Sequence, residues 1–214
     1  MIRFVENQDW VAISLFVCIV ALVFSFLSLN REATIREYLT QKTEDASNVF
    51  LSWVVVSVVY CWLLSVLLSQ FVPILPKPVE KLSLFGYSLN KIGYTSLIVG
   101  GFYLIKTSLT FLFFSSVNQV KRFNNLFFTA SRFYFVLSLV LMVLVFLNYY
   151  FLSEKSNLLY YLLIFLGIVL LFKLFLYLFS KNKTLPKEWY YKFLYICTLQ
   201  IIPILAIWKL LFYI

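Results

Sequence analysis

Long apolar runs alternate with short polar segments along the whole chain. Each run has about the 20 residues that an α-helix needs to cross the hydrocarbon core of a membrane. The run Val11–Leu29 is apolar on every side, whereas a strand of a membrane β-barrel alternates polar and apolar residues. The pattern therefore predicts an all-α polytopic transmembrane helical bundle of about six spans, which forms a single integral membrane domain over residues 1–214. The predicted spans are Trp10–Leu29, Asn48–Phe71, Ile92–Val117, Phe127–Phe151, Leu158–Phe179 and Tyr190–Phe212.

The composition agrees with a membrane protein. Hydrophobic residues make up 63% of the 214 residues and charged residues 13%, about half of the charged share that is usual in soluble domains. Small residues are scarce, so Gly100, Gly101 and Gly167 are the obvious positions for close helix contacts. The first apolar run is too long for the core of a typical signal peptide, and we expect it to remain as an uncleaved span.

The meaning of the net charge of +9 depends on whether the protein is soluble or lies in a membrane. In a soluble protein it would suggest nucleic acid, but in a membrane protein lysine and arginine gather in cytoplasmic loops. We therefore expect no nucleic acid, and anionic phospholipid at the cytoplasmic basic loops. Nine basic residues in the first, third and fifth loops face five on the opposite side, so both termini are predicted outside the cytoplasm. The larger set is Arg31, Arg36, Lys42, Lys121, Arg122, Arg132, Lys181, Lys183 and Lys187; the smaller is Arg3, Lys77, Lys81, Lys91 and Lys155.

The sequence offers little for catalysis. It has no histidine, and its nine acidic residues all fall in predicted loops or at span ends. Proton- or sodium-coupled transporters generally need a carboxylate at mid-membrane. Cys18, Cys61 and Cys197 are dispersed within apolar runs, which is the pattern of neither a disulfide framework nor a zinc site. We therefore expect no catalytic residue, no cofactor and no metal. An enzyme using loop carboxylates such as Glu37 or Glu80 is the weakest alternative.

One lysine lies deep in a predicted span. Lys173, Lys192 and Lys209 are close enough to span ends for their ammonium groups to reach an interface. Lys106 is instead about 21 Å from the outer end of its span, and Gln200 falls at the same depth. Pro203 cannot donate to the carbonyl of Leu199, which adds an acceptor in this layer. The predicted buried polar layer comprises Lys106, Thr107, Thr198, Gln200 and the Leu199 carbonyl before Pro203.

This layer has two interpretations. It is a site for an anionic lipid head group or for a carboxylate from another subunit, because Lys106 has no acidic residue at its own depth. Alternatively, the lysine is neutral or reaches an interface.

The two ends of the chain resemble a known family. The segment Asn7-Gln8-Asp9-Trp10 precedes the first span, and a stretch from Phe193 through Tyr195 and Gln200 to Pro203 lies near the end. Together they resemble a family of small polytopic inner-membrane proteins of unassigned function from Bacteroidota-type bacteria. The resemblance implies a multi-pass protein of the bacterial inner membrane with no known catalysis. It also implies that an acidic residue is common in relatives at the position of Gln200.

Two functions follow as expectations. The first is a non-catalytic accessory subunit of an inner-membrane complex in protein export or envelope biogenesis, whose partners are other integral membrane protein subunits. The alternative is a small transporter or lipid-binding membrane protein with a polar site around Lys106 and Gln200.

Overall fold

The computed structural model describes residues 9–29, 49–72, 83–84, 87–88, 90–151, 158–179, 185–186 and 188–212. In these ranges the chain is a transmembrane bundle of six helices, each long and apolar enough to cross a membrane, so the predicted fold class is confirmed. Most of the loop lysines and arginines behind the predicted orientation, as well as Glu37 and Glu80, lie outside the described residues. The helices are α1 Asp9–Leu29, α2 Val49–Ser69, α3 Lys91–Ser116, α4 Val120–Tyr150, α5 Leu158–Phe179 and α6 Trp189–Phe212.

A short antiparallel pairing lies between α2 and α3. Strand β1, Ser83–Leu84, pairs with β2, Tyr87–Ser88, with Ser83 opposite Ser88 and Leu84 opposite Tyr87. Two residues per strand are too few to form an independent sheet. The all-α class is therefore unchanged.

Successive helices run in opposite directions. The hydroxyl of Tyr94 donates to the carbonyl of Leu210 at 3.3 Å, which joins the start of α3 to the end of α6. At the opposite end, Nη1 of Arg122 donates to the carbonyl of Leu185 at 2.5 Å. We call the end that holds residues 9, 69, 91, 150, 158 and 212 the terminal end. The end that holds residues 29, 49, 116, 120, 179 and 189 is the loop end.

Helix α2 lies at the centre of the bundle and packs on α1, α3 and α4. Its residues Leu63 and Val66 are fully buried, and Leu141 of α4 is as well. The outer faces keep large apolar side chains such as Phe16 and Phe24 exposed, which suits lipid because acyl chains are as apolar as leucine. Helix α5 packs less closely on its neighbours than the others do, and this leaves room for a cavity beside it.

Helix α4 starts earlier than its apolar run. It begins at Val120 rather than at the predicted Phe127, so Lys121, Arg122 and Arg132 lie in a helix and not in the third loop. The helix starts before the predicted span because hydropathy marks where a helix is apolar and not where its hydrogen bonds begin. Within α4, the guanidinium of Arg132 lies 3.9 Å from the centre of the Phe128 ring, which is cation–π geometry.

The glycines do not mark close helix contacts. A Cβ atom added at Gly100, Gly101 or Gly167 would meet no atom within 4 Å. No neighbouring backbone lies against these faces, so the predicted tight contacts are wrong. Gly167 instead lines the cavity beside α5.

Helix α6 contains a π-helical segment. It is α-helical over Trp189–Leu194, π-helical over Tyr195–Ile201 and α-helical again over Ile202–Phe212. The amide of Ile202 donates to the carbonyl of Cys197, five residues back. The next residue, Pro203, has no N–H, and its ring crowds the carbonyl four residues back, which favours a wider turn. The wider turn brings Tyr195 and Gln200 to the same side of α6.

Replacing Leu63 by alanine tests the packing of α2. We expect Leu63→Ala to lower the free energy of unfolding by about 2 kcal/mol, at the low end for buried leucines, because lipid rather than water surrounds the unfolded helices. The same change at Leu104, which is 65% exposed, should stay within about 0.5 kcal/mol. Equilibrium unfolding in mixed micelles, followed by tryptophan fluorescence, measures both. Equal effects at the two positions would show that α2 is not the core helix.

Candidate functional site

Lys106 is held at the middle of the bundle by the π-helical segment of α6. Its Nζ atom donates to Oε1 of Gln200 at 2.8 Å, and Nε2 of Gln200 donates to the hydroxyl of Tyr195 at 2.8 Å. The side chains of Gln200 and Tyr195 are each only 1% exposed. The side-chain amide of Gln200 therefore connects Lys106 of α3 with Tyr195 of α6 by two hydrogen bonds.

A second lysine enters the same region from α5. Lys173 is 7% exposed, and its Nζ atom donates to the hydroxyl of Tyr134 in α4 at 2.7 Å. The same Nζ lies 5.6 Å from the centre of the Tyr177 ring. The expectation that Lys173 reaches a membrane interface is wrong, because this residue lies on the inward face of α5 and finds a tyrosine hydroxyl there.

The side chains of Lys106 and Lys173 lie in the same region of the bundle. Both line a void of about 30 Å³ that is also bounded by Thr110. We call Lys106, Lys173, Gln200, Tyr134 and Tyr195 the lysine cluster.

No carboxylate balances this cluster among the residues that the structure describes. Those include the acidic residues Asp9 and Glu188, which lie at the terminal end and the loop end of the bundle. A lysine ammonium has three donors and no acceptor, and the hydrogen bonds of Lys106 and Lys173 given above are to neutral groups. Buried cations without an anion are costly, and ionisable groups inside membrane proteins usually mark a functional site.

The cluster lies at one end of a cavity of about 520 Å³. Both lysines line it, while most of its wall is apolar and comes from α2, α3, α4, α5 and α6. The wall follows α6 from Pro203 to Phe212, a distance of about 14 Å at 1.5 Å per residue. The cavity therefore has a cationic end near mid-bundle and an apolar length directed to the terminal end.

Aromatic residues hold Tyr134 in place. The rings of Tyr60 and Tyr134 have centres 4.5 Å apart, and Tyr103 meets Tyr134 edge-on at 5.8 Å. The hydroxyl of Tyr103 in turn shares a hydrogen bond of 2.6 Å with that of Ser57. These contacts orient the hydroxyl that accepts from Lys173.

The predicted polar layer is brought together in part. Thr107 lines the small void, and Pro203 lines the cavity. Thr198 is exposed, and its hydroxyl donates to the carbonyl of Leu194 at 2.6 Å, so it does not join Lys106. Its inclusion was wrong because depth alone was matched; two helical residues apart, Thr198 and Gln200 point to opposite sides.

The sequence analysis did not identify Lys173 and its hydrogen-bond partner Tyr134 as site residues. The spacing of polar residues along α3 and α5 did indicate a polar face on each helix. Tyr103, Lys106 and Thr110 recur at the i, i+3, i+7 interval of one helix face, and Lys173 and Tyr177 are four residues apart on another. By contrast, Tyr195 and Gln200 are five residues apart, and only the π-helical turn places them together.

The described residues include no group of histidine, cysteine, aspartate or glutamate that could hold a metal ion. Cys18, Cys61 and Cys197 are unpaired thiols.

The comparisons give a family but no function. The model of a family described as a domain of unknown function (DUF4271) matches residues 10–211, which is nearly the whole chain. Comparison with curated proteins and with solved structures returns no match.

A double-mutant cycle tests the contact between α3 and α6. Lys106→Met and Gln200→Leu should each destabilise the protein, and their coupling energy should be about 1 kcal/mol, which is within the range for hydrogen bonds between membrane helices. Unfolding in mixed micelles provides the four free energies. The control pair, Lys106→Met with Thr198→Val, should show no coupling, since the Thr198 hydroxyl bonds within its own helix. Additive effects of Lys106→Met and Gln200→Leu would contradict the site geometry.

Proposed function

The chain belongs to this family of unknown function, and we propose that it is a lipid-binding protein of the bacterial inner membrane. It binds the anionic head group of an amphiphile at Lys106 and Lys173, and the apolar cavity takes the tail. One observation carries the proposal: the buried Lys173 and the half-buried Lys106 line the same end of an apolar cavity, with no carboxylate beside them in the described part of the chain.

The shape of the cavity favours an amphiphile over a small polar solute. A solute such as a sugar or an amino acid needs donors and acceptors around it, whereas this wall is largely leucine, valine, isoleucine and phenylalanine. The two charged groups, Lys106 and Lys173, lie at one end of the cavity. An acyl or prenyl chain would lie along the wall that α6 provides from Pro203 onward.

We propose a non-catalytic role. The chain has no histidine, and the lysine cluster has no carboxylate to act as a general acid or base. Lysine, tyrosine and glutamine are a suitable set for holding an anion, because each offers N–H or O–H donors.

A second candidate is an accessory subunit of an inner-membrane complex in protein export or envelope biogenesis, with other integral membrane proteins as partners. The observation in its favour is the outward face of α5, where Phe172, Phe175 and Phe179 are exposed on a loosely packed helix. The lipid proposal is favoured because Lys106 and Lys173 already find Gln200 and Tyr134 inside the bundle. A partner's carboxylate would have to reach Lys106 and Lys173 between this chain's own helices.

The proposed orientation has the loop end in the cytoplasm and both termini outside, as the positive-inside rule favours. The loop-end lysines and arginines then meet anionic phospholipid of the cytoplasmic leaflet. In this orientation the cavity extends from the lysine cluster into the outer half of the membrane.

Bound lipid is the first test. Native mass spectrometry of the protein purified in mild detergent should show one anionic lipid retained per chain. Lys106→Met and Lys173→Met should each reduce the retained fraction several-fold, because a charged hydrogen bond is lost. The matched control is Lys209→Met, which makes the same change at an exposed lysine near the end of α6. Retention of zwitterionic and anionic lipids in equal amounts, unaffected by either cluster variant, would rule out the proposal. In that case, stoichiometric recovery of a larger membrane partner would favour the accessory subunit.

Filling the cavity tests the position of the tail. Gly167 lines the cavity with open space at its Cβ position, so Gly167→Leu should fold normally and weaken binding of a long-chain anionic lipid. The control is Gly101→Leu, which also has open space but lies outside the cavity wall. Lipid titrations followed by thermal shift measure both variants. If the two affected binding equally, the tail would not occupy this cavity.

A further inference from the structure

The lysine cluster offers two lysines to a single ligand. Lys106 comes from α3 and Lys173 from α5, and both side chains line the same small void and the same cavity. The described part of the chain places no carboxylate near them. A ligand with one negative charge would leave the second cation unbalanced inside the bundle, where such a charge is costly. Two negative charges on one group would balance the pair.

The donors of the cluster outnumber its acceptors. Each lysine uses one N–H in the bonds to Gln200 and Tyr134, and an ammonium has three. Tyr134 accepts from Lys173 through its oxygen, so its own proton is still a donor. A group with several strong acceptor oxygens at one point matches this arrangement, and a phosphate monoester has three such oxygens with a charge of about −1.5 to −2 at neutral pH.

The space next to the lysines is much smaller on the loop-end side than on the side of the cavity. The void on the loop-end side measures about 30 Å³, against about 520 Å³ for the cavity. Rings of Trp53, Tyr103 and Tyr195 bound it. A glycerol, ethanolamine or sugar attached to the phosphate would have to lie against these rings, whereas a tail has room in the cavity. This difference favours an anion that is the last group of the ligand, with its tail directed into the cavity.

We propose that the ligand is an amphiphile with a terminal phosphate monoester, whose phosphate oxygens accept hydrogen bonds from Lys106, Lys173 and Tyr134. The inference rests on the proposed lipid-binding function and specifies the ligand class. Lipid phosphatidates and prenyl phosphates share this chemistry with soluble phosphate monoesters. The apolar wall from Pro203 to Phe212 favours the lipid sources.

The experiment compares two lipids that differ at one position. The delipidated full chain in detergent is titrated at pH 8 with dioleoyl phosphatidic acid and with dioleoyl phosphatidylmethanol, whose methyl ester removes one charge and caps the phosphate. We expect phosphatidic acid to bind about tenfold more tightly or better, as the loss of one charged hydrogen bond implies. Glycerol 3-phosphate and inorganic phosphate serve as the soluble arms, and both should bind far more weakly.

Each outcome decides a different point. Equal binding of the two lipids would overturn the phosphate monoester and leave lipid binding intact. No binding of either lipid would overturn the proposed function itself. Glycerol 3-phosphate binding as tightly as phosphatidic acid would support the monoester but contradict the lipid source.

Variants at Lys173 give a second readout. Lys173→Met should remove the preference for phosphatidic acid over phosphatidylmethanol, because one remaining cation needs only one negative charge. Lys173→Arg should retain the preference, since arginine keeps the charge and binds phosphate well. Lys209→Met is the matched control and should bind both lipids as the parent does. A preference that survives Lys173→Met would contradict the two-cation argument. If that variant does not fold, the two lipids on the parent protein still decide the question.

Discussion

The structure depends on one constraint: a buried and a half-buried lysine lie at the middle of a membrane bundle, with no carboxylate beside them in the described chain. Hydrocarbon provides no water to solvate an ammonium group, so every contact of Lys106 and Lys173 must come from protein or ligand. Gln200 and Tyr134 each supply one acceptor. The remaining donors and charge are directed at a cavity that is otherwise apolar, and this asymmetry supports an anionic amphiphile as the ligand.

The groups of the cluster all lie on helices. Helix α2 supplies the packed centre, and α3, α4 and α6 each bring one face to the cluster. Helix α5 packs less closely, and the cavity occupies the space that this leaves. The π-helical segment before Pro203 is the one irregular turn within the described spans, and it carries Tyr195 and Gln200 into the cluster. Such wide turns are rare and frequently occur at functional sites.

The sequence predicts the spans well. It predicts poorly which side chains of a span face the interior of the bundle. Six apolar runs of spanning length determine the helices, because hydrocarbon thickness sets their length. Matching depths along two spans correctly paired Lys106 with Gln200, since both lie near mid-span. The same reasoning wrongly included Thr198, which faces outward. It also wrongly predicted that the ammonium group of Lys173 reaches a membrane interface. Depth follows from counting residues, whereas the direction of a side chain depends on how helices rotate and pack. The π-helical segment Tyr195–Ile201 also changes the direction of the side chains that follow it, and a count of 3.6 residues per turn does not predict this change.

The most direct test of this account is a cryo-EM map of the protein purified from its native membrane into lipid nanodiscs. The account predicts non-protein density that starts between the Nζ atoms of Lys106 and Lys173 and continues along Pro203–Phe212 toward the terminal end of the bundle. A map in which Lys173 points to the membrane surface, or in which α5 closes the cavity and leaves Lys106 with Gln200 alone, would contradict it.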